Sequence, residues 1–128
     1  MVDTDKNRPR VLVIEDDFRI ALILQETLED LGCEVIGPVT AIPEAFAAIL
    51  TTPADAAILA LLLKDTYAYE VAEALEERNI PFAFAGDIGR NPANSARKLH
   101  SCLPKPYTRA DVRTLLRTIL PNHEPPLP

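Results

Sequence analysis

The sequence has few of the residues that define several large classes of protein. It contains no tryptophan, four glycines and two cysteines in 128 residues. Cys33 and Cys102 lie in apolar segments without CxxC or histidine spacing, so we predict two buried free thiols and no disulfide or metal pair. No apolar run approaches the roughly 20 residues that cross a bilayer, and residues 1–10 lack the apolar centre of a signal peptide. These absences predict a cytoplasmic protein with no membrane partner.

Positively charged residues are fewer than negatively charged ones. Thirteen Lys and Arg residues stand against 19 Asp and Glu residues, which gives a formal net charge of −6. Nonspecific binding to nucleic acid depends on a surplus of Lys and Arg. The charge balance therefore argues against a nucleic-acid partner and favours another protein.

The length and composition predict one soluble domain. Of the 128 residues, 48% are hydrophobic and 25% are charged, and a chain of this size buries roughly two-thirds of its unfolded surface in one core. Residues 1–9 are polar, and residues 121–128 contain four prolines. We predict a domain at 10–120 between a disordered N-terminus and an extended proline-rich tail.

Within the domain, short apolar runs alternate with helical patterns. The run at 54–64 is apolar and follows Pro53, and a helix of the same length is its competing interpretation. The alternation favours a buried central strand, as βαβ units require, with residue 60 near the carboxyl edge of a parallel sheet. Strands are predicted at 10–14, 33–39, 54–64, 80–85 and 99–103. Helices are predicted at 18–31, from about 43, at 68–78 and from 108 to Pro121, and breakers limit any other helix to a short segment near 92–99.

Local signals fix the ends of several of these elements. Asp17 is the predicted N-cap of the first helix, and Gly32 its stop. Residues 37–38 are Gly-Pro, which suits an edge strand, residues 64–66 form a turn, and residues 108–111 resemble a capping box. The residues predicted to face the core from the helices are Ile20, Ile23, Leu24, Thr27, Leu28, Leu31, Phe46, Ile49, Leu50, Val71, Ala72, Leu75, Val112, Leu115, Leu116 and Ile119.

Three segments fall at the same edge of this predicted sheet. Glu15 and Asp16 follow the first strand, Ala60 lies at the end of the third, and Lys105-Pro106 follow the fifth. Seen alone, acidic residues after a strand fit a solvated helix N-terminus, which the helix dipole favours. Together with a lysine at the same edge, they indicate a site.

The motifs Val-Leu-Val-Ile-Glu-Asp-Asp at 11–17 and Leu-Pro-Lys-Pro-Tyr at 103–107, with the strand and helix alternation between them, resemble the receiver domain of two-component response regulators. Regulators of the chemotaxis type, which consist of a receiver alone, are the most similar. The resemblance covers about residues 10–120. It implies a flavodoxin-like (βα)5 fold, with a doubly wound parallel five-stranded sheet in the order 2-1-3-4-5.

The resemblance also implies roles for individual residues. In that family an Asp at the end of strand three takes a phosphoryl group from a histidine kinase or a small phosphodonor, and an acidic pair holds Mg²⁺. A lysine and a Thr or Ser hydroxyl bind the phosphoryl oxygens. Glu15, Asp16 and Lys105 match these positions, and a cis peptide bond before Pro106 is implied. Ala60 stands at the acceptor position, Gly86 at the hydroxyl position and Cys102 at the position of the switch aromatic residue.

From this pattern we predict a signalling protein with a degenerate phosphorylation site that is not an enzyme and binds Mg²⁺ weakly or not at all. Its partners would be a histidine kinase, a phosphotransfer protein, another regulator or a second copy of itself. The predicted interaction face, within 98–116, includes Lys98, Cys102, Pro106 and Tyr107. With no carboxylate at position 60, we expect the Lys105 ammonium to turn to Asp16 or Glu15.

Two other functions fit parts of the sequence. One is a phosphate-accepting receiver in which an Asp was replaced by Ala60 through engineering, but the departures at Gly86 and Cys102 favour a naturally degenerate site. The other is a flavodoxin-like cofactor binder. Such a protein would need a Gly-rich phosphate loop after strand one, and this sequence has none there.

Carboxylates elsewhere could in principle replace the missing nucleophile. Asp55 lies about 16 Å upstream of position 60 along an extended strand, whereas Asp65 and Asp87 are predicted at the correct edge. In-line attack demands close positioning, so we expect no substitute nucleophile.

Overall fold

The structure is a computed structural model that describes residues 8–85, 101–103 and 108–120. It contains seven strands and four helices within these ranges. In chain order they are β1 (Arg10–Ile14), α1 (Phe18–Asp30), β2 (Glu34–Val39), α2 (Ile42–Thr51), β3 (Ala56–Ala60), β4 (Leu62–Leu63), β5 (Thr66–Tyr67), α3 (Tyr69–Glu77), β6 (Phe82–Ala85), β7 (Ser101–Leu103) and α4 (Arg109–Ile119).

Five of the strands form one parallel sheet in the order β2-β1-β3-β6-β7. Counted along the chain without the short pair β4 and β5, this order is 2-1-3-4-5. The predicted α/β fold class with a flavodoxin-like sheet is therefore confirmed. The strand β2 lies at an edge, as its Gly-Pro pair predicted.

Helices cover both faces of the sheet because successive side chains of a strand point to opposite faces. Val11 and Val13 of β1 pack with α1 and α4, whereas Leu12 and Ile14 of the same strand pack with α2 and α3. Alternation along β1 thus divides the interior into two cores, one on each side of the sheet.

The prediction of one strand over 54–64 is wrong in its length. Only the Ala56–Ala60 segment lies in the sheet, and all five of its residues are buried. The chain then forms an antiparallel hairpin in which Leu62 pairs with Tyr67 and Leu63 with Thr66. The predicted turn is confirmed at Lys64 and Asp65, whose φ angles are 48° and 66°. Two positive φ angles are what a two-residue hairpin of right-handed twist requires.

The predicted helix caps are confirmed. Asp17 Oδ1 accepts hydrogen bonds from the backbone N–H groups of Arg19 (3.0 Å) and Ile20 (3.3 Å). At the start of α4, Asp111 N–H donates to the Thr108 hydroxyl (3.1 Å) and Thr108 N–H donates to the Asp111 carboxylate (2.8 Å). No helix in the described part of the chain combines the length and apolar character of a bilayer-spanning helix.

The predicted core-facing residues are wrong at two places. Ile23 is 56% exposed and Leu50 is 61% exposed, because the buried positions of α1 and α2 include Ala21 and Ala45. Ala21 shares the buried face of α1 with Leu24 and Leu28, and Ala45 shares that of α2 with Ile49, so Ile23 and Leu50 fall on the outer faces of these helices.

Cys33 precedes β2 and is confirmed as a buried free thiol. Burial disfavours the thiolate and raises the pKa of Cys33 to about 11, with Arg8 acting weakly in the opposite direction. The Cys102 side chain lies outside the described residues. Cys33 has the character of a packing residue and not that of a reactive nucleophile.

Candidate functional site

Glu15 follows directly after β1, at the carboxyl edge of the sheet. It is 3% exposed and is the one buried charged residue among the residues that the structure describes. Its backbone N–H donates to the Val39 carbonyl (2.9 Å), and its carboxylate accepts from the Asp17 N–H (3.1 Å). These bonds join the ends of β1 and β2 to the first turn of α1.

Asp16, the next residue, lies on the surface and reaches across to the segment after β3. Its Oδ2 accepts a hydrogen bond from the backbone N–H of Lys64 at 2.8 Å. Because the two residues are 48 positions apart, this bond ties the end of β1 to the hairpin formed by residues 62–67.

Ala60 ends β3 beside these acids. Ile14 pairs with Leu59, so the next positions along the two strands, Glu15 and Ala60, are neighbours at the edge. Ala60 pairs with Ala85 of β6 on its other side and is 3% exposed. The central strand therefore ends in a buried methyl group between its two neighbours, and no nucleophilic atom is present there.

The hairpin at 62–67 was not predicted, and it borders the site. Lys64 adopts the left-handed region, which costs roughly 1–2 kcal/mol for a residue with a Cβ, whereas Asp visits this region more readily. Leu63 is buried, but Leu62 and Tyr67 are 45% and 47% exposed. The hairpin thus presents an apolar pair at the surface on a turn that is costly to form.

Aromatic rings connect this hairpin to the sheet. Tyr67 stacks on Tyr69 with ring centroids 5.8 Å apart, and Tyr69 meets Phe84 of β6 edge-on at 6.2 Å. Phe84 in turn contacts Phe82 at 5.6 Å. Such pairs add about 0.5–1.5 kcal/mol beyond the area they bury. The signal for this contact in the sequence was the spacing of Tyr67 and Tyr69, two aromatic residues separated by one alanine.

The structure brings together Glu15, Asp16 and Ala60 at the carboxyl edge of the sheet. The strand β7 places the backbone of Cys102 beside Phe84. The remaining predicted residues lie outside the described ranges, and so do the cis bond before Pro106 and the predicted turn of Lys105 toward the acids. They are Gly86, Lys98, Lys105, Pro106 and Tyr107.

Two of the three candidate substitute nucleophiles can be located. Asp55 precedes β3, where its carboxylate accepts from the Arg10 N–H at 2.7 Å. It therefore lies at the amino edge of the sheet, away from Glu15. Asp65 lies in the hairpin turn, and Asp87 falls outside the described residues. The location of Asp55 excludes it from chemistry at the carboxyl edge.

The metal-binding capacity of the edge is limited. Among the residues that the structure describes, no three or more His, Cys, Asp or Glu residues come together in a group that could hold a metal ion. Glu15 and Asp16 supply two carboxylates of the type that Mg²⁺ prefers, while Ala60 supplies no ligand. One oxygen of each carboxylate already accepts a backbone N–H.

A shallow cavity of about 300 Å³ lies at the opposite edge of the sheet, between the ends of α2 and α3. Its walls combine apolar residues such as Ile49 and Ile80 with the polar Thr51 and Thr52, and Arg78 is its one charged residue. It contains no carboxylate and is separate from the site at Glu15 and Ala60.

Comparison with solved structures finds close resemblances over nearly the whole chain. SdrG from Sphingomonas melonis Fr1 is 32% identical, with a TM-score of 0.77, over 93% of this chain and 99% of that chain. The receiver domain of the PhyR response regulator from Erythrobacter litoralis is 21% identical, with a TM-score of 0.81, over 94% of this chain and 96% of that one.

A third similar structure is the receiver domain of the sensor histidine kinase PA1611 from Pseudomonas aeruginosa PAO1, which has a magnesium ion in its active-site cleft. It is 18% identical, with a TM-score of 0.76, over 88% of this chain and 97% of that chain. No family model matches the chain, and the search of curated proteins returns no match.

Proposed function

Because this chain belongs to the response-regulator receiver family, we propose that it is a two-component signalling protein that accepts no phosphoryl group and acts by binding other proteins. The observation that carries the proposal is Ala60, buried at the end of the central strand beside Glu15. A methyl group has no lone pair with which to attack phosphorus. The acceptor position of the family therefore holds no phosphoryl acceptor in this chain, and the chain has no catalytic role of its own.

The surroundings of Ala60 support this assignment. The chain continues from Ala60 through Leu61 and Leu63, both buried, into the hairpin. Asp55 is held at the far edge by Arg10, and phosphoryl transfer requires a nucleophile placed in line with the leaving group to within about an ångström. The carboxylate nearest to position 60 along β3 thus cannot take over the reaction.

The same arrangement supports weak binding of Mg²⁺. Glu15 and Asp16 would hold the ion, which in phosphoryl transfer neutralises charge on the transferring group. The third carboxylate of the family pattern is missing. A site with fewer charged ligands binds a hard cation more weakly. Restoring it with Ala60→Asp should tighten Mg²⁺ binding by at least about tenfold, which corresponds to about 1.4 kcal/mol. NMR titration of both proteins measures the difference.

Partner binding is proposed for the face within 98–116, including Lys98, Cys102, Pro106 and Tyr107. The partners would be a histidine kinase, a phosphotransfer protein, another regulator or a second copy of the chain, in the cytoplasm. With Gly86 and Cys102 in place of the hydroxyl and the aromatic switch residues, no side chain can report phosphorylation to this face. The face should then hold one conformation, set by its packing and by the bound partner.

The test has two readouts on the unaltered protein. After incubation with a small phosphodonor and Mg²⁺, intact-mass spectrometry should show no added phosphoryl group. A partner identified by crosslinking in cells should bind with the same affinity before and after this treatment. An affinity that changes on treatment, together with a phosphoryl adduct, would overturn the proposal.

A further inference from the structure

We propose that the outer side of α1 is a self-complementary dimer interface, on which α1 of a second copy of this chain packs antiparallel. This surface shares no residue with the face within 98–116, so the proposal goes beyond the proposed function. The juxtaposition that carries it is an exposed row on α1, formed by Arg19, Leu22, Ile23 and Glu26.

Exposed hydrophobic side chains are concentrated on α1. Of the six large ones exposed in the part of the chain that the structure describes, three belong to this helix: Phe18, Leu22 and Ile23. Single exposed apolar residues are common on protein surfaces, whereas a group of them indicates a contact surface. The outer side of α1 therefore exposes apolar area that a partner would bury.

The spacing of the row is that of one helix face. Positions i, i+3, i+4 and i+7 share one side of an α-helix, and Arg19, Leu22, Ile23 and Glu26 have this spacing. At about 100° per residue, the middle of this row lies opposite the buried side of α1. The buried residues of α1 are Ala21, Leu24 and Leu28. The helix thus has one row for its own core and a second row that faces outward.

The outer row is complementary to itself. Its midpoint lies between Leu22 and Ile23, and Arg19 and Glu26 lie at equal distances from it, about 5 Å along the helix axis. A two-fold axis through this midpoint sets two copies of the helix antiparallel. Leu22 of one copy then meets Ile23 of the other, Arg19 of one copy meets Glu26 of the other, and each contact occurs twice.

The charges of the row have no other partner in the described structure. Neither Arg19 nor Glu26 forms an ion pair among the residues that the structure describes. Within α1, the residues three and four positions after Arg19 are Leu22 and Ile23, and Glu26 has these two on one side and acidic residues on the other. The helix dipole disfavours a cation such as Arg19 in the first turn. A second copy supplies the partner that each charge lacks.

The size of the contact limits its strength. A pair of helices of 13 residues each buries less than the roughly 1,200 Å² at which interfaces of standard size begin. Since such interfaces range from about micromolar to picomolar affinity, we expect a dissociation constant above about 1 µM. The net charge of −6 on each copy opposes association. The dimer therefore depends on the register that pairs Arg19 with Glu26.

The experiment measures self-association of the full chain by sedimentation equilibrium, from tens of micromolar to about a millimolar. The dependence of NMR amide shifts on concentration locates the contact. The unaltered protein should form dimers toward the upper concentration, with the largest shift changes in α1. A protein that stays monomeric throughout would overturn the proposal, and so would shift changes confined to 98–116.

Charge reversal tests the register. Arg19→Glu places acids opposite acids and Glu26→Arg places arginines opposite arginines, so each should weaken the dimer about tenfold. Glu26→Arg also lowers the net negative charge, so general repulsion cannot explain its effect. The variant with both substitutions should regain the dimer, as should an equimolar mixture of the two single variants. Single variants that dimerise normally, or a double variant that does not, would overturn the proposal.

A matched pair of alanine variants tests the apolar contact. Ile23 is 56% exposed on α1 and Leu50 is 61% exposed on α2. Ile23→Ala should weaken the dimer by more than about tenfold because its contact occurs twice, whereas Leu50→Ala should leave it unchanged. Equal effects would show nonspecific apolar association and would overturn the proposal. None of these outcomes bears on whether position 60 accepts a phosphoryl group, which mass spectrometry decides separately.

Discussion

The carboxyl ends of β1 and β3 lie side by side, yet they differ in what their residues do for the fold. After β1, Glu15 bonds to the Asp17 N–H, Asp16 to the Lys64 N–H, and Asp17 caps α1. At the end of β3, the backbone of Ala60 pairs with Ala85, and its methyl group fills buried space and offers no polar atom.

Under the proposed function, this difference explains how the acids of a family site can persist where the carboxylate of its central strand is absent. Each acid after β1 stabilises a local structure, whether or not a phosphoryl group is transferred. A carboxylate at position 60 would have no such role in the described fold, and its burial would cost free energy. We infer that structural demands preserve the acids of β1 and that only chemistry would preserve an Asp at the end of β3.

The largest expected effect comes from placing a charge at the end of β3. Ala60→Asp should lower the free energy of unfolding by about 2 kcal/mol without Mg²⁺, because it buries a carboxylate beside Glu15. Urea denaturation measures this loss, and Mg²⁺ should restore part of it. The Asn side chain has nearly the same shape as Asp but no charge. Ala60→Asn should therefore lose less stability than Ala60→Asp, and Mg²⁺ should not change its stability. Equal losses in both variants would show that shape, and not charge, sets the cost.

Removing an acid after β1 should also destabilise the fold, by a smaller amount. Asp17→Ala deletes the cap that accepts from Arg19 and Ile20 N–H, which typically costs about 1 kcal/mol. Asp17→Asn keeps a capping oxygen and should remain near the original stability, as thermal denaturation would show. An Asp17→Ala protein as stable as the original would contradict the structural role assigned to this acid.

The predicted pairing of Lys105 with the acids gives a smaller effect. In a double-mutant cycle, Lys105→Met and Asp16→Asn should show a coupling energy of about 0.5 kcal/mol in stability, the range of an exposed ion pair. A second cycle with Glu15→Gln identifies the acid that Lys105 favours. Additive effects in both cycles would mean that the lysine does not turn to the acids.

The smallest effect concerns the hairpin that follows β3. Lys64→Gly should raise the free energy of unfolding by about 0.5 kcal/mol, because glycine relieves the left-handed strain of roughly 1–2 kcal/mol but loses more entropy on folding. Lys64→Ala removes the same side chain without that relief, and it should give no gain. A gain of equal size in both variants would assign the effect to the lysine side chain and not to its backbone conformation.

A parallel sheet with a buried central strand could be predicted because apolar runs and helical patterns alternate, whereas the order of its strands was implied by the resemblance to the receiver family. The end of β3 was harder to place, since Leu61, Leu62 and Leu63 continue the apolar pattern past Ala60. The hairpin escaped prediction because each of its strands has two residues. Its turn is Lys-Asp, without the glycine that usually indicates such a turn.

The same reasoning explains what the sequence revealed of the site. Glu15, Asp16 and Ala60 could be placed together because each lies at the end of a strand whose neighbours were predicted correctly. The bond between Asp16 and Lys64 could not be predicted, since it joins a side chain to a backbone N–H 48 residues away. Every residue except proline has a backbone N–H, so the residue type does not show which N–H will donate to a side chain.

The most direct measurement of the central claim is intact-mass spectrometry of Ala60→Asp, and of Ala60→Asp with Gly86→Thr, beside the unaltered protein, after incubation with a small phosphodonor and Mg²⁺. The account predicts that the unaltered chain gains nothing and that the doubly substituted chain gains one phosphoryl mass. That result would establish a receiver scaffold whose acceptor position is empty. An acid-stable, base-labile phosphoryl group on the unaltered chain would contradict the account, because another carboxylate would then have taken the place of residue 60.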